Sequence, residues 1–179
     1  GLRPRVASSI QPVIQFLSAL PVNLFYPFIF ILIIRHHLNV TIWSSPLIVL
    51  GMQWYILFNV ISGAMNLDED LKQAVASLGL GLRARWYYFI LPGILPELAT
   101  GLITAAGGAW NASIVAEMVE WKGKVLPATG LGAYISHASS AGHFEQLALG
   151  VMVMCVYVLL INKILWQPLY HWVNRRCQV

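Results

Sequence analysis

The sequence predicts an all-α, polytopic bundle of transmembrane helices, about four spans, with a coupling-type helical loop on the cytoplasmic side. Three observations carry this reading. Of 179 residues, 58% are hydrophobic and only 10% charged; soluble domains carry about 25% charged residues, so much of this surface has to face lipid. Four stretches, Val13 to Ile34, Val40 to Leu67, Leu98 to Ala116 and Gln146 to Asn162, contain no Asp, Glu, Lys or Arg. Each is near or above the roughly 17 residues that cross a hydrocarbon core. The basic residues gather beyond the ends of these runs: with Arg3, Arg5, Lys72, Arg83, Arg85, Lys163, Arg175 and Arg176 on one side, only Arg35, Lys122 and Lys124 remain for the other. That excess marks the cytoplasmic face, so both termini and the central loop belong there.

The same composition excludes other classes. A β-barrel needs strands of about ten residues that alternate apolar and polar, and no run has that period. The first apolar run is long and followed by more of the same, unlike a cleavable signal. The chain opens on Gly1-Leu2-Arg3-Pro4-Arg5 without an initiator Met, and an N-terminal part is expected to be missing. Cys155 in an apolar run and Cys177 in the basic tail form neither a disulfide framework nor a metal spacing, and are expected as free thiols. The formal charge of +4 is scattered at span ends rather than gathered on a polar domain, which argues against nucleic acid.

In the first span Pro12 suits a helix start, whereas Pro21 and Pro27 each remove an interior hydrogen bond and predict a kink. Ser18 and Asn23 are then expected to face protein or a cavity. Arg35 to Asn39 reads as a polar outer turn; His36 and His37 are adjacent, point apart and make a poor metal site. Ser44, Ser45 and Pro46 offer a cap for the second span, which runs to about Ala64.

The loop from Asn66 to Pro92 is the most informative segment. Asp68, Glu69 and Asp70 precede Leu71, Ala74, Val75 and Leu78, which are apolar at i, i+3, i+4 and i+7. This is one face of a short amphipathic helix with acids at its positive end. Gly79-Leu80-Gly81 breaks it, and a second helical stretch starts near Leu82, turns aromatic over Trp86 to Phe89 and meets Pro92 and Pro96. An exposed apolar stripe either lies on the membrane or docks on a partner protein; the acids favour a protein, because anionic headgroups would repel them.

The third span carries Gly101, Ala105, Ala106, Gly107, Gly108 and Ala109, which suit either close helix packing or a pore. Trp110, Asn111, Ser113 and Glu117 continue a polar edge towards the outside and are candidate pathway residues. For Glu117 an interfacial acid is the equal alternative. The outer loop from Val119 to Gly142 holds a short helix around Ala133 to Ala138, and the last span starts near Phe144 and stops at Trp166, Tyr170 and the basic tail.

On these residues the loop resembles the cytoplasmic signature of binding-protein-dependent ABC importer permeases. The Glu-Ala-Ala, Gly, Ile and Leu-Pro elements of that signature align with Gln73-Ala74-Val75, Gly79, Phe89 and Leu91-Pro92. The first Glu, second Ala and Ile are replaced, so the likeness rests on spacing, Ala74, Gly79 and Leu91-Pro92. Gly107 to Ser113 with Glu117 looks like the nitrate, sulfonate and taurine branch. The resemblance runs from about Gln11 to Trp172 and implies one importer transmembrane domain over 1–179, whose family core begins earlier. It further implies ATPase coupling through Leu71, Gln73, Ala74, Val75, Leu78, Gly79, Leu91 and Pro92. The implied partners are separate ABC ATPase subunits that carry ATP and Mg, a second permease domain from the same or a fused chain, an extracytoplasmic substrate-binding protein and the surrounding lipid. No cofactor is expected in this chain.

The chain has no GxxxxGK[ST], so ATP chemistry would lie elsewhere. The resemblance implies a small anion as substrate, although no Arg or Lys lies inside a span to hold one. A secondary transporter or channel is the alternative, but it leaves the acidic amphipathic loop without a partner. An intramembrane enzyme is disfavoured, since no HExxH, GxSxG or paired carboxylates occur.

Overall fold

The computed structural model describes residues 4–121 and 124–177. Expectations on residues 1–3 and Lys122, and on the side chains of Asn23, Arg176 and Cys177, lie outside what it describes.

The first predicted span is broken rather than kinked. Pro4–Ala19 (α1) and Tyr26–Arg35 (α2) are separate helices, linked by a 3-10 turn over Val22–Phe25. Pro21 disfavours helical geometry in the residue before it and cannot donate a hydrogen bond, so α1 ends at Ala19. Pro27 falls in the first turn of α2, where a missing N–H costs nothing. The ten residues of α2 reach only about 15 Å, half a hydrocarbon core.

After a tight reversal in which His37 takes φ 51°, Val40–Met65 forms α3. Its cap is Asn39, whose Oδ1 accepts from Thr41 N at 2.9 Å. Ser44 and Ser45, the expected cap, lie inside the helix, where Ser44 Oγ donates to Thr41 O at 3.1 Å. A side-chain acceptor directly before the helix meets its free N–H groups sooner than one a turn later.

Glu69–Ser77 is α4, Leu82–Arg85 is α5 and Leu91–Ala116 is α6. A π-helical turn, Trp86–Ile90, joins the last two. Together they make one helix of 35 residues, Leu82–Ala116, where the sequence predicted a cytoplasmic stretch followed by a span from Leu98. Pro92 does not break it, because it follows a widened turn in which the i→i−4 pattern is already interrupted. Beyond α6 comes an unanticipated antiparallel hairpin, Met118–Trp121 (β1) with Lys124–Pro127 (β2), in which Met118 pairs with Pro127 and Trp121 with Lys124. Leu131–Ser140 (α7) matches the predicted outer helix. Phe144–Ile161 (α8), a second π-turn Asn162–Trp166 and Gln167–Cys177 (α9) complete the chain.

The all-helical membrane class therefore stands, with one correction of number. Among the described residues three helices, not four, are long and apolar enough to cross a membrane: Val40–Met65, Leu82–Ala116 and Phe144–Arg175. Their large apolar side chains, among them Ile42, Leu159 and Ile164, are widely exposed, as expected where the solvent is lipid.

α3 and α6 pack antiparallel. A Cβ on Gly101 would stand 3.1 Å from Ile56 Cα, one on Gly108 would stand 2.9 Å from the Tyr55 ring, and Gly63 faces the Glu97 stem. The small residues of the third span thus serve close helix packing at these positions. Two buried clusters fasten the ends. Ala64, Leu67, Phe89, Ile90 and Ile94, joined by Val60 and Val75, close the end that carries α4. Tyr26, Phe30, Leu47 and Ala116 close the hairpin end.

Candidate functional site

The α4 turn is built by three local devices. Asp68 Oδ1 accepts from Asp70 N at 2.7 Å and from Leu71 N at 3.3 Å, closing the N-terminus with a negative charge. Lys72 Nζ meets Glu69 Oε1 at 2.7 Å. Gly79 ends the helix at φ 60°, with nothing within 4 Å of the Cβ position, so the backbone angle alone calls for glycine there.

The apolar stripe read from the sequence divides in two. Val75 is half-buried and packs on the cluster formed by the end of α3 and the start of the long helix. Leu71 is 52% exposed and Leu78 70% exposed, and Leu80 and Leu82 continue the exposed patch around the bend. Gln73 and Ala74 are also exposed. Leu91 and Pro92 lie exposed at the start of α6, directly after the π-turn, next to Gly93, against which the Leu67 side chain fits closely.

The four pathway candidates do not form one site. Ser113 is buried and its Oγ donates to Trp110 O at 2.8 Å; its main-chain carbonyl lies against Gly132, where a Cβ would stand 2.5 Å away. Glu117 turns to α7: its Oε2 accepts from Ala133 N at 3.0 Å, and Gly130 leaves room for the carboxylate. Its main-chain O accepts from Ala128 N at 2.7 Å. Ser113 and Glu117 thus hold α7 and the hairpin to the end of α6. Thr129 N adds a bond to Thr41 Oγ1 at 3.2 Å, tying the same corner to α3. Asn111 is exposed, and Trp110 lines a cavity.

That cavity, about 180 Å³, lies between α6 and the end of α8 with the π-turn that follows it, walled by Ile103, Gly107, Trp110, Val158, Asn162 and Trp166. It continues past Ile103, Asn162 and Trp166 into a second of about 300 Å³, which adds Thr100, Thr104, Gln167, Tyr170 and His171. Thr100 Oγ1 donates to Pro96 O at 3.0 Å and Thr104 Oγ1 to Thr100 O at 2.9 Å. Sequence reasoning passed over this groove. The signal present was a pair of hydroxyls four residues apart in one apolar run, facing an amide at the end of another. No group of three or more His, Cys, Asp or Glu able to hold a metal occurs among the described residues.

Compared with known proteins, the whole chain, residues 1–179, matches the family described as binding-protein-dependent transport system inner membrane component. It is 24% identical over 162 residues to the taurine transport system permease protein TauC of Escherichia coli K12, covering 90% of this chain and 55% of that protein. It is 25% identical to the bicarbonate transport system permease protein CmpB of Synechocystis, over 91% of this chain and 55% of the relative. With the putative aliphatic sulfonates transport permease protein SsuC of Escherichia coli K12 it shares 30% identity over 70% of this chain and 49% of the relative. The chain thus spans about half the length of these curated relatives.

Proposed function

We propose that this chain, which belongs to the family of binding-protein-dependent transport system inner membrane components, works as the membrane-spanning permease part of an ATP-driven importer. It forms part of the solute pathway in a bacterial cytoplasmic membrane, with α4 and the chain termini on the cytoplasmic side. ATP and Mg are handled by separate ATPase subunits, an extracytoplasmic binding protein delivers the solute, and a second permease domain completes the pathway. The solute is a small molecule with an anionic group, in keeping with the taurine, bicarbonate and sulfonate named for the relatives.

The observation that carries this reading is the divided face of α4. Val75 ties the helix to both long spans, while Leu71 and Leu78 are left bare beside the Gly79 bend. A helix gripped on one side by the spans and bare on the other suits a joint between a moving partner and the membrane helices. In this role Leu71, Ala74 and Leu78 meet the ATPase with Gln73 at the rim. Gly79 sets the bend, and Leu91-Pro92 lies within the long helix that follows it.

Co-expression with ATPase subunits of this transporter class tests it. The ATPase should remain bound through detergent extraction, and Leu71→Glu with Leu78→Glu should reduce the bound fraction about tenfold, as loss of an apolar contact centre does. Solute uptake driven by an ion gradient without any ATPase would overturn the reading in favour of a secondary transporter.

A further inference from the structure

We propose that Glu97 is a direction-determining residue: it stands at the inner mouth of a water-lined face of α6 and keeps anionic solute already delivered to the cytoplasm from re-entering the pathway. The proposal rests on the importer reading and assigns to it a face and a charge.

The long helix is gripped on two sides. α3 fits against Gly101 and Gly108 through Ile56 and the Tyr55 ring, and the end of α8 faces Ile103, Ala106 and Trp110 across the smaller cavity. Between these flanks runs a third face. Glu97, Thr100, Thr104, Gly107 and Asn111 follow one another by three or four residues, the spacing that lines side chains up along a helix. Thr104, Gly107 and Asn111 are exposed, and nothing stands within 4 Å of the Cβ position of Gly107. Half a turn round, Leu98, Leu102 and Ala109 make the opposite face apolar.

Lipid does not suit the polar line. The threonine hydroxyls are satisfied by their own helix, at Pro96 O and Thr100 O, but in hydrocarbon the exposed Asn111 amide and the Glu97 carboxylate would lose water without replacement. The Glu97 stem packs on Gly63, and among the described residues its carboxylate has no ion-pair partner. Acids within membrane helices face the bundle interior or a water-filled cavity. An unpaired and open one marks water.

Glu97 also lies where a charge governs entry. From it to Ala116 the helix rises about 30 Å, one hydrocarbon core, and its neighbour Gly63 is two residues from the end of α3 at Met65. The carboxylate thus stands at the α4 end of the line, on the side read as cytoplasmic. A fixed negative charge at the mouth of a low-dielectric cleft lowers the local concentration of anions, so delivered solute rebinds less. Loading at the far end, about 30 Å away, lies beyond a Debye length of about 8 Å and is not opposed.

The test uses the assembled importer in inside-out membrane vesicles, in a background without Cys155 and Cys177. Two thiol reagents are compared, methanethiosulfonates carrying a sulfonate or a trimethylammonium group, with rates normalised to those for a free thiol. Thr104→Cys should react with both about tenfold or more faster than Leu102→Cys, because the reactive thiolate forms in water and not against an apolar wall. Glu97→Gln, which keeps the stem against Gly63, should raise the anion-to-cation rate ratio at Thr104→Cys about tenfold, the effect of removing one charge about 10 Å away behind low-dielectric walls. Glu97→Asp should hold the parental ratio within about twofold, since the charge stays. Thr104→Cys no more reactive than Leu102→Cys would mean that lipid or a partner helix covers the line, and would overturn the proposal. So would a rate ratio that Glu97→Gln leaves unchanged. ATPase association is measured separately, so the importer reading stands or falls on its own result.

Discussion

Gly132 and Gly107 show how one residue type does opposite jobs in this chain. A Cβ on Gly132 would stand 2.5 Å from the main-chain O of Ser113. Backbone cannot rotate away as a side-chain tip can, so α7 would have to lift from α6. Gly132→Val should therefore destabilise the protein by about 1–3 kcal/mol, visible as a lowered thermal midpoint in detergent. Gly107 has nothing within 4 Å of its Cβ position; Gly107→Ala should leave the midpoint unchanged or raise it, since alanine is the better helix former by about 1 kcal/mol. Equal effects from the two substitutions would mean that α7 is not held at Gly132. Glu117 adds to the same corner. With its carboxylate on Ala133 N, it fastens the outer helix.

At the level of elements, α4 was the most legible part of the chain. An acidic cap, an apolar period and a glycine stop all point to one short helix, and Asp68, Val75 and Gly79 behave accordingly. The bend should depend on the backbone angle, because nothing crowds Gly79. In the assembled importer Gly79→Val should reduce ATP-driven uptake, since a branched residue pays about 1–2 kcal/mol in the left-handed region, whereas Gly79→Asn should keep most of it. Equal uptake by the two would remove the bend from the mechanism. Other elements were less legible, for physical reasons. Proline gives one signal for a kink, a break and a helix start, and at Pro21, Pro27 and Pro92 only the surrounding structure decides between them. The strands Met118–Trp121 and Lys124–Pro127 are four residues each, too short for a period. The groove unites Thr100 with Tyr170, residues far apart in sequence, and no local pattern announces such a meeting.

For the whole molecule the arrangement has two distinct ends. The hairpin, α7 and the His36–His37 turn gather at one, and α4 with the Gly79 bend stands at the other. Single cysteines in a background without Cys155 and Cys177 report which end faces which side. His37→Cys and Ser140→Cys should react with a membrane-impermeant maleimide in intact cells, and Leu80→Cys only after permeabilisation. The reverse pattern would invert the orientation inferred from the basic residues. The unbroken helix Leu82–Ala116, 35 residues, is about 50 Å long at 1.5 Å per residue. A rigid rod of that length magnifies angle into distance: pivoting by about five degrees at its hairpin end, it carries the end beside α4 through about 4 Å. Thr100, near the middle of the rod, travels only about half as far, so a partner's full stroke would reach the groove geared down to a shift on the scale of one hydrogen bond.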